Sequence, residues 1–442
     1  MIVTWPGHAQ LFLNAADKTL LLDPWFAEPV FGGAWFRYPP APLHNASMFP
    51  RPDFVLLSHT HPDHSGLETL AQLQKDQRIV VAPFPSGAMT RRLARAGLAN
   101  VQWLEPWRTE TLAPGLKVTF VPHHAGWEVA SIIVEADGVR LYHGNDNPLS
   151  IEAYREVVAR LGPIDLAFLP YAGASSYPTG FDGDEATLHE RCEKKKREGL
   201  QRFTEGLEGL RPAEAVPFAS SWALLEMSEV HKNFVDRFTA DQVLSQAIEK
   251  AASTGTHLLH MSPGDEWTRE TGVLRMGLTE GWTNDVAAVR RYAEQEKARV
   301  DAAIARTRSP GKSVPAESLD RAMHAYFSEL LRHTSAATSQ LSMRAGFVAE
   351  GEGGGAWRVH FTPGAAPTFE RGLLGDEHEV LRLPAPELAT IVLGPANWED
   401  VWYGYRLRVS KAPGAGYYRA FWDALLTFDD DALSTRLRAE LL

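Results

Sequence analysis

Cysteine is almost missing from this sequence: Cys192 is the single one among 442 residues. No intrachain disulfide can form, and neither a thiolate-rich metal site nor a cysteine-ligated iron–sulfur cluster can be built within this chain. A reducing, cytoplasmic setting is the expectation that follows. Long apolar runs are lacking as well, and none approaches the roughly 20 residues that a membrane span requires. The start, Met1-Ile2-Val3-Thr4-Trp5, lacks the charged and then apolar stretches of a signal peptide and reads straight into a strand. Positive charge is in deficit: 44 Lys and Arg stand against 55 Asp and Glu, a formal charge of −11. That balance argues against the basic footprint of a nucleic-acid-binding surface and leaves room for a local basic pocket that takes an anionic substrate.

What is present is an ordinary globular composition, 44% hydrophobic and 22% charged, on a chain long enough for two domains. Its densest chemistry lies in Ser58-His59-Thr60-His61-Pro62-Asp63-His64-Ser65-Gly66. Three histidines and one aspartate fall within six positions, directly after the apolar run Phe54-Val55-Leu56-Leu57. Such a run, ended by polar and turn residues, reads as a buried strand. The ligand-type side chains therefore sit on a loop with a rigid base. Imidazole nitrogen and carboxylate oxygen hold zinc, and also suit iron and manganese. His59 and His61 alternate and can point to one side, while Asp63 and His64 follow on the turn and can serve a second ion.

This segment resembles the His-x-His-x-Asp-His signature of the metallo-β-lactamase superfamily. Its flanks, Gly7-His8-Ala9 and Thr19-Leu20-Leu21-Leu22-Asp23-Pro24-Trp25, resemble the branch of L-ascorbate-6-phosphate lactonase and N-acyl-phosphatidylethanolamine phospholipase D. The resemblance spans residues 1 to 270 and implies an α/β (α+β) fold, the αββα sandwich. A small α+β domain is expected to be appended at the carboxy-terminal side.

The organisation agrees with that expectation. Strand-like runs alternate with helical ones through residue 275, and Asp137-Gly138 is a hairpin turn pair. A charged helix is expected over 184–209 and a polar one over 283–308, with Lys194 to Arg197 as a solvated face and Cys192 as a bystander thiol. Ser309-Pro310-Gly311-Lys312-Ser313-Val314-Pro315 reads as a linker. The Gly-rich tract 350–355 reads as a hairpin loop, and residues 415–442 as a helical tail. The resulting division is 1–275 catalytic domain, 276–315 helical connection and linker, and 316–442 α+β domain.

A two-metal site needs further ligands. His123 and His124 lie at a strand end where the superfamily supplies its next histidine, and either one fits. Asp146, after Tyr142-His143-Gly144-Asn145, is the candidate bridging carboxylate. The superfamily's late Pro-x-His is replaced by Pro217-Phe218-Ala219-Ser220-Ser221-Trp222, which has no histidine. Glu226, His231, His257 and His260 are the replacements within reach in sequence. Trp25, Tyr171, Ser175 and Tyr177 are candidates for a substrate pocket.

Further stretches, Leu169 to Pro178, Val216-Pro217-Phe218-Ala219, Pro263-Gly264-Asp265 and Trp398 to Tyr405, resemble CMP-N-acetylneuraminate monooxygenase. That family carries a Rieske domain, which this sequence lacks. The resemblance also suggests a sterol-carrier-like form for residues 316–442. The expected cofactors are two divalent ions, zinc or iron, with manganese also suited. The expected reaction is hydrolysis of an amide, lactone or phosphoester, with Asp63 orienting the attacking hydroxide or binding the second ion. The alternatives are a non-haem di-iron oxygenase fed by a separate reductase, and a metal-binding protein without catalysis. A small-molecule substrate and a second copy of the chain are the partners this reading implies.

Overall fold

Alternate residues of a strand face opposite sides of a sheet, and the amino-terminal strands carry apolar side chains on both. Leu11, Leu13, Leu20, Leu22, Phe54, Leu56 and Val80 go to one buried layer. Phe12, Leu21, Val55, Leu57, Ile79 and Val81 go to another. The computed structural model describes residues 1–40, 45–308, 314–428 and 431–441. Most of the expected linker, residues 309–313, therefore lies outside the described residues.

Among the described residues the first sheet has eight strands, in the order Gly272–Leu274, Glu266–Thr268, Ile2–Gly7, Gln10–Ala15, Lys18–Leu22, Phe54–Leu57, Ile79–Val81, Val101–Trp103. A second, seven-stranded sheet runs His257–Leu258, Glu214–Phe218, Leu166–Pro170, Val139–His143, Ala130–Ala136, Leu116–Pro122, Glu110–Ala113. Their facing sides share one core, in which Val118, Phe120, Ile132, Val134, Phe168 and Val216 meet the first layer named above. The outer side of the first sheet is covered by Met89 and Leu93 of helix Ala88–Arg95. The outer side of the second is covered by Tyr154 and Val157, Phe203 and Leu207, and Val243 and Ala247, from helices Ile151–Leu161, Glu185–Leu210 and Ala240–Thr254. Helix, sheet, sheet, helix is the αββα sandwich expected from the sequence. The hairpin at Asp137-Gly138 is present, and both residues take the left-handed conformation that its tight turn requires (φ 54° and 71°).

The described residues divide into two units. One comprises Met1–Val30, Trp35–Gly173 and Glu193–Gln295, and the other Phe31–Ala34, Ala174–Cys192 and Glu296–Leu442. The helix expected over 283–308 is two, Val286–Gln295 and Lys297–Arg308. Each buries its own apolar residues, Ala288, Val289 and Ala293 in one and Val300, Ala303 and Ile304 in the other. The polar run Glu294-Gln295-Glu296-Lys297 interrupts the apolar stripe between them. The second unit is built on a mixed five-stranded sheet, in the order Thr368–Arg371, Gly355–Phe361, Met343–Glu350, Glu379–Pro384, Arg408–Lys411. Helix Ala316–His333 lays Met323, Tyr326, Phe327 and Leu330 into its core beside Phe347 and Trp357. The glycine tract is the hairpin loop between Met343–Glu350 and Gly355–Phe361. The helical tail is two helices, Arg419–Thr427 and Asp431–Leu441.

Candidate metal centre

Strand Phe54–Leu57 is buried throughout and pairs in parallel with Lys18–Leu22 and Ile79–Val81. It delivers the chain to a fixed point at Ser58. Beyond it, Pro62 opens a single helical turn, Pro62–Ser65, with Asp63 and His64 buried on it. Pro suits the first helical position because its missing N–H has no partner to lose there. The turn closes at Gly66, where a Cβ would lie 2.4 Å from the Pro62 carbonyl oxygen, so any larger residue forces the backbone apart.

Six side chains converge here. His8 Nε2 lies 2.8 Å from Asp63 Oδ2, and His64 Nε2 lies 3.4 Å from both Asp63 Oδ2 and Asp146 Oδ2. His61 Nδ1 is 2.8 Å from His59 Nε2 and 4.0 Å from Asp146 Oδ2. They form two groups whose donor atoms lie within 4.8 Å of one another, His8 with Asp63 and His64, and His59 with His61 and Asp146. Ligands about 2.0–2.2 Å from a tetrahedral ion are themselves 3 to 4 Å apart, the range seen here. Asp63 Oδ1 and His64 Nε2 are buried and have no hydrogen-bond partner. Buried polar atoms are rarely left so, and a cation would satisfy both.

The surrounding hydrogen bonds orient the rings. Asp23, fully buried at a left-handed φ of 43°, accepts from the Ser58 N–H at 2.8 Å and from Ser58 Oγ at 2.6 Å. It also accepts from His64 Nδ1 at 2.9 Å, which leaves Nε2 facing the cluster. Because the Ser58 hydroxyl donates to Asp23, its lone pair takes the Nδ1–H of His59 at 2.8 Å, and His59 Nε2 is turned into the cluster beside His61 Nδ1. One carboxylate thus sets the tautomers of two imidazoles. Asp146 is placed by Asn145, which takes a left-handed φ of 39°, donates to the Ala130 carbonyl and accepts from the Asp146 N–H.

The electrostatics follow from this crowding. Burial, together with the charges of His64 and His61, keeps the His59 imidazole well below its ordinary range. Burial pushes Asp63 up, but His64 and the His8 hydrogen bond outweigh it and hold the carboxyl well below the usual value. Burial opposes charge on His64 too, yet Asp63 and Asp146 raise it well above an ordinary histidine. Ligand-type groups this strongly coupled are a feature of functional sites.

Of the residues expected from the sequence, His59, His61, Asp63, His64 and Asp146 are brought together. His123 and His124 join neither group. The His123 ring stacks on Trp127 at 4.3 Å and packs beside His124, while its backbone N–H donates to Val129, which bridges to His59. The suggested replacement ligands do not join either. His260 lies 3.4 Å from Asp241, His257 pairs with Glu214, and His231 is exposed on the turn Val230–Lys232. Glu226 supplies a carbonyl to the backbone of Glu229 and Val230. Beside Asp63 stands His8, which sequence reasoning passed over. Its signal was the Gly7-His8-Ala9 turn, where φ values of 134° and 49° turn a lone histidine inward to 2% exposure. Asp23, Ser58 and Asn145 were also missed as orienting residues. Trp25 is buried, donates its indole N–H to Ala27 and meets the His8 ring edge-on at 5.1 Å. Tyr171 is buried at the end of Leu166–Pro170. Ser175 and Tyr177 belong to the second unit, where the serine hydroxyl donates to the Tyr177 carbonyl.

Residues 18–191 match the model of the beta-lactamase superfamily domain. A Mycobacterium tuberculosis protein named as a Rieske 2Fe-2S iron–sulfur protein is 25% identical over 242 residues, 53% of this chain and 46% of its own. This chain thus spans about half the length of that relative. A UPF0173 metal-dependent hydrolase of Nitratidesulfovibrio vulgaris is 28% identical over 185 residues, 39% of this chain and 68% of the hydrolase. The cytidine monophosphate-N-acetylneuraminic acid hydroxylase of Mus musculus is 26% identical over 229 residues, 49% of this chain and 38% of the hydroxylase. Residues 18–191, the stretch that matches this model, contain five of the six clustered side chains.

Proposed function

We propose that this chain is a metal-dependent hydrolase acting on a small molecule with an amide, lactone or phosphoester bond. The observation that carries the reading is the meeting of two three-residue donor groups in one cluster, with a buried carboxylate oxygen and a buried imidazole nitrogen that lack hydrogen-bond partners. His59, His61 and Asp146 would hold one divalent ion. Asp63, His64 and His8 would hold the other, with His8 in place of the late histidine that the sequence lacks. Bound there, two divalent cations lower the pKa of a coordinated water and polarise the substrate oxygen.

The chain's own residues prepare that chemistry. Asp23 and Ser58 hold His64 and His59 as the tautomers that face inward. His8 anchors Asp63 Oδ2 and so leaves Oδ1 directed to accept a proton or a cation. The similarity to a UPF0173 metal-dependent hydrolase supports this reading.

A second reading, a non-haem iron oxygenase, draws on the similarity to the mouse hydroxylase and to the Rieske-named protein. A Rieske centre takes two cysteines, and these 442 residues hold one, so the electrons would come from outside them. The two readings part under strict anaerobiosis. Zinc-loaded protein is expected to turn over members of a panel of lactones, amides and phosphodiesters without dioxygen. Turnover that needs iron, dioxygen and a reductant together would instead assign the oxygenase.

A further inference from the structure

Arg237 is a buried cation with donors to spare. The residue is 3% exposed, and its Nε and Nη1 have no hydrogen-bond partner. Its Nη2 donates to the Trp222 carbonyl at 2.8 Å, and its guanidinium lies 3.6 Å over the Trp222 ring. Leaving two guanidinium nitrogens unpaired in the interior is costly, so each asks for a partner.

The surroundings are positive. Lys195 lies in the run expected to be a solvated helix face, but it turns inward and pairs with Asp236 at 2.7 Å, with only 12% of its side chain exposed. Burial, with Arg237 and Arg202 acting the same way, pushes the Lys195 ammonium below its ordinary value despite Asp236. Three cations therefore share this corner with one buried carboxylate. Arg202 makes no hydrogen bond or ion pair among the described residues. Its Nη1 lies so close to Gly173 that a Cβ there would sit 2.8 Å away. The Tyr171 hydroxyl, beside Ser220 Oγ and within the field of Arg237, adds a neutral donor.

The position relative to the metal centre is set by sheet topology. Strands Val139–His143, Leu166–Pro170 and Glu214–Phe218 are adjacent and parallel, and Asp146, Tyr171 and Ser220 each follow the carboxy-terminal end of one. Neighbouring strands lie about 4.8 Å apart, which puts the cationic corner roughly one to two strand spacings from Asp146. Ligands of α/β sheets collect at these strand ends. A stack of indoles makes the same link, since Trp35 meets His8 edge-on at 6.1 Å and Trp222 face-on at 3.8 Å, with Arg237 on the Trp222 ring.

We propose that Arg237, with Lys195, Arg202 and Tyr171, forms a subsite for an oxyanion, a phosphate or carboxylate group of the substrate whose reacting bond lies at the metal cluster. This rests on the metal-dependent reading given above. Charge-assisted hydrogen bonds from a buried guanidinium would select an anionic molecule over its neutral analogue.

The test is a titration of the metal-loaded full chain with inorganic phosphate, and separately with acetate, read by tryptophan fluorescence because Trp222 and Trp35 adjoin the subsite. A saturable change is expected with at least one of the two anions. It should weaken about tenfold or more in Arg237→Lys and in the half-buried Arg202→Gln, with bound metal unchanged. No saturable change in the wild type, or equal affinity in all three proteins, would overturn the subsite. Phosphate held on the metal centre itself would survive Arg202→Gln and disappear in His61→Ala, and that pattern also overturns it. Metal retained without an anion response removes the subsite alone; failure of the wild type to bind metal removes the functional reading beneath it.

Discussion

Asp23 belongs to neither donor group, yet three hydrogen bonds converge on its carboxylate, two from Ser58 and one from His64. Replacing it with asparagine puts an N–H where an acceptor is needed and frees both imidazoles to turn. Asp23→Asn is therefore expected to lower metal affinity about 10- to 100-fold while the clustered donor residues stay intact, measured by competition with a chromophoric chelator. At this scale the sequence discloses residues that stand together and hides those that work alone. His59, His61, Asp63 and His64 announce themselves by density. His8, Asp23 and Arg237 are single residues whose meaning depends on a left-handed turn, a buried acceptor and a stacked indole, none of which has a spacing to read.

Helices and strands show why the cluster is rigid. Phe54–Leu57 is an interior strand between two parallel neighbours, and the ligand turn that follows is only four residues long. Its closure relies on Gly66. Gly66→Ala drives a methyl into the Pro62 carbonyl, so the turn bearing Asp63 and His64 must shift. Reduced metal content is expected, with the far-ultraviolet circular dichroism of the wild type retained. A variant with wild-type metal content would show that the turn can yield at no expense to the site. The apolar alternation of these strands, and the Asp137-Gly138 turn, were readable because period-two patterning and a left-handed dipeptide are local signals. The break at Glu296 was not. The apolar stripe lapses over only four polar residues there, which helical spacing alone does not distinguish from an exposed face.

For the molecule as a whole, the division into two units is the least readable feature. Residues 174–192 and 31–34 group with the carboxy-terminal residues although no compositional change marks them. The second unit carries its own pH dependence. Glu379 is fully buried, and burial raises its carboxyl pKa, with the Lys411 ammonium 3.0 Å away only partly opposing. A raised carboxyl favours the protonated form in the folded state. Its contribution to stability is thus complete below the ordinary carboxylate range and is lost as pH rises through the raised value. Denaturant titrations across that range should show stability falling with pH in the wild type and a flatter profile in Glu379→Gln; identical slopes would contradict this.

The proposed metal centre places six side chains from three separate stretches of the chain around two divalent ions. Elemental analysis of protein purified without added metal tests it most directly, with His61→Ala and His8→Ala alongside. The wild type is expected to carry about two equivalents of zinc, iron or manganese, with His61→Ala losing metal from one group and His8→Ala from the other. Full metal content in both variants, or none in the wild type after growth in metal-replete medium, would contradict it.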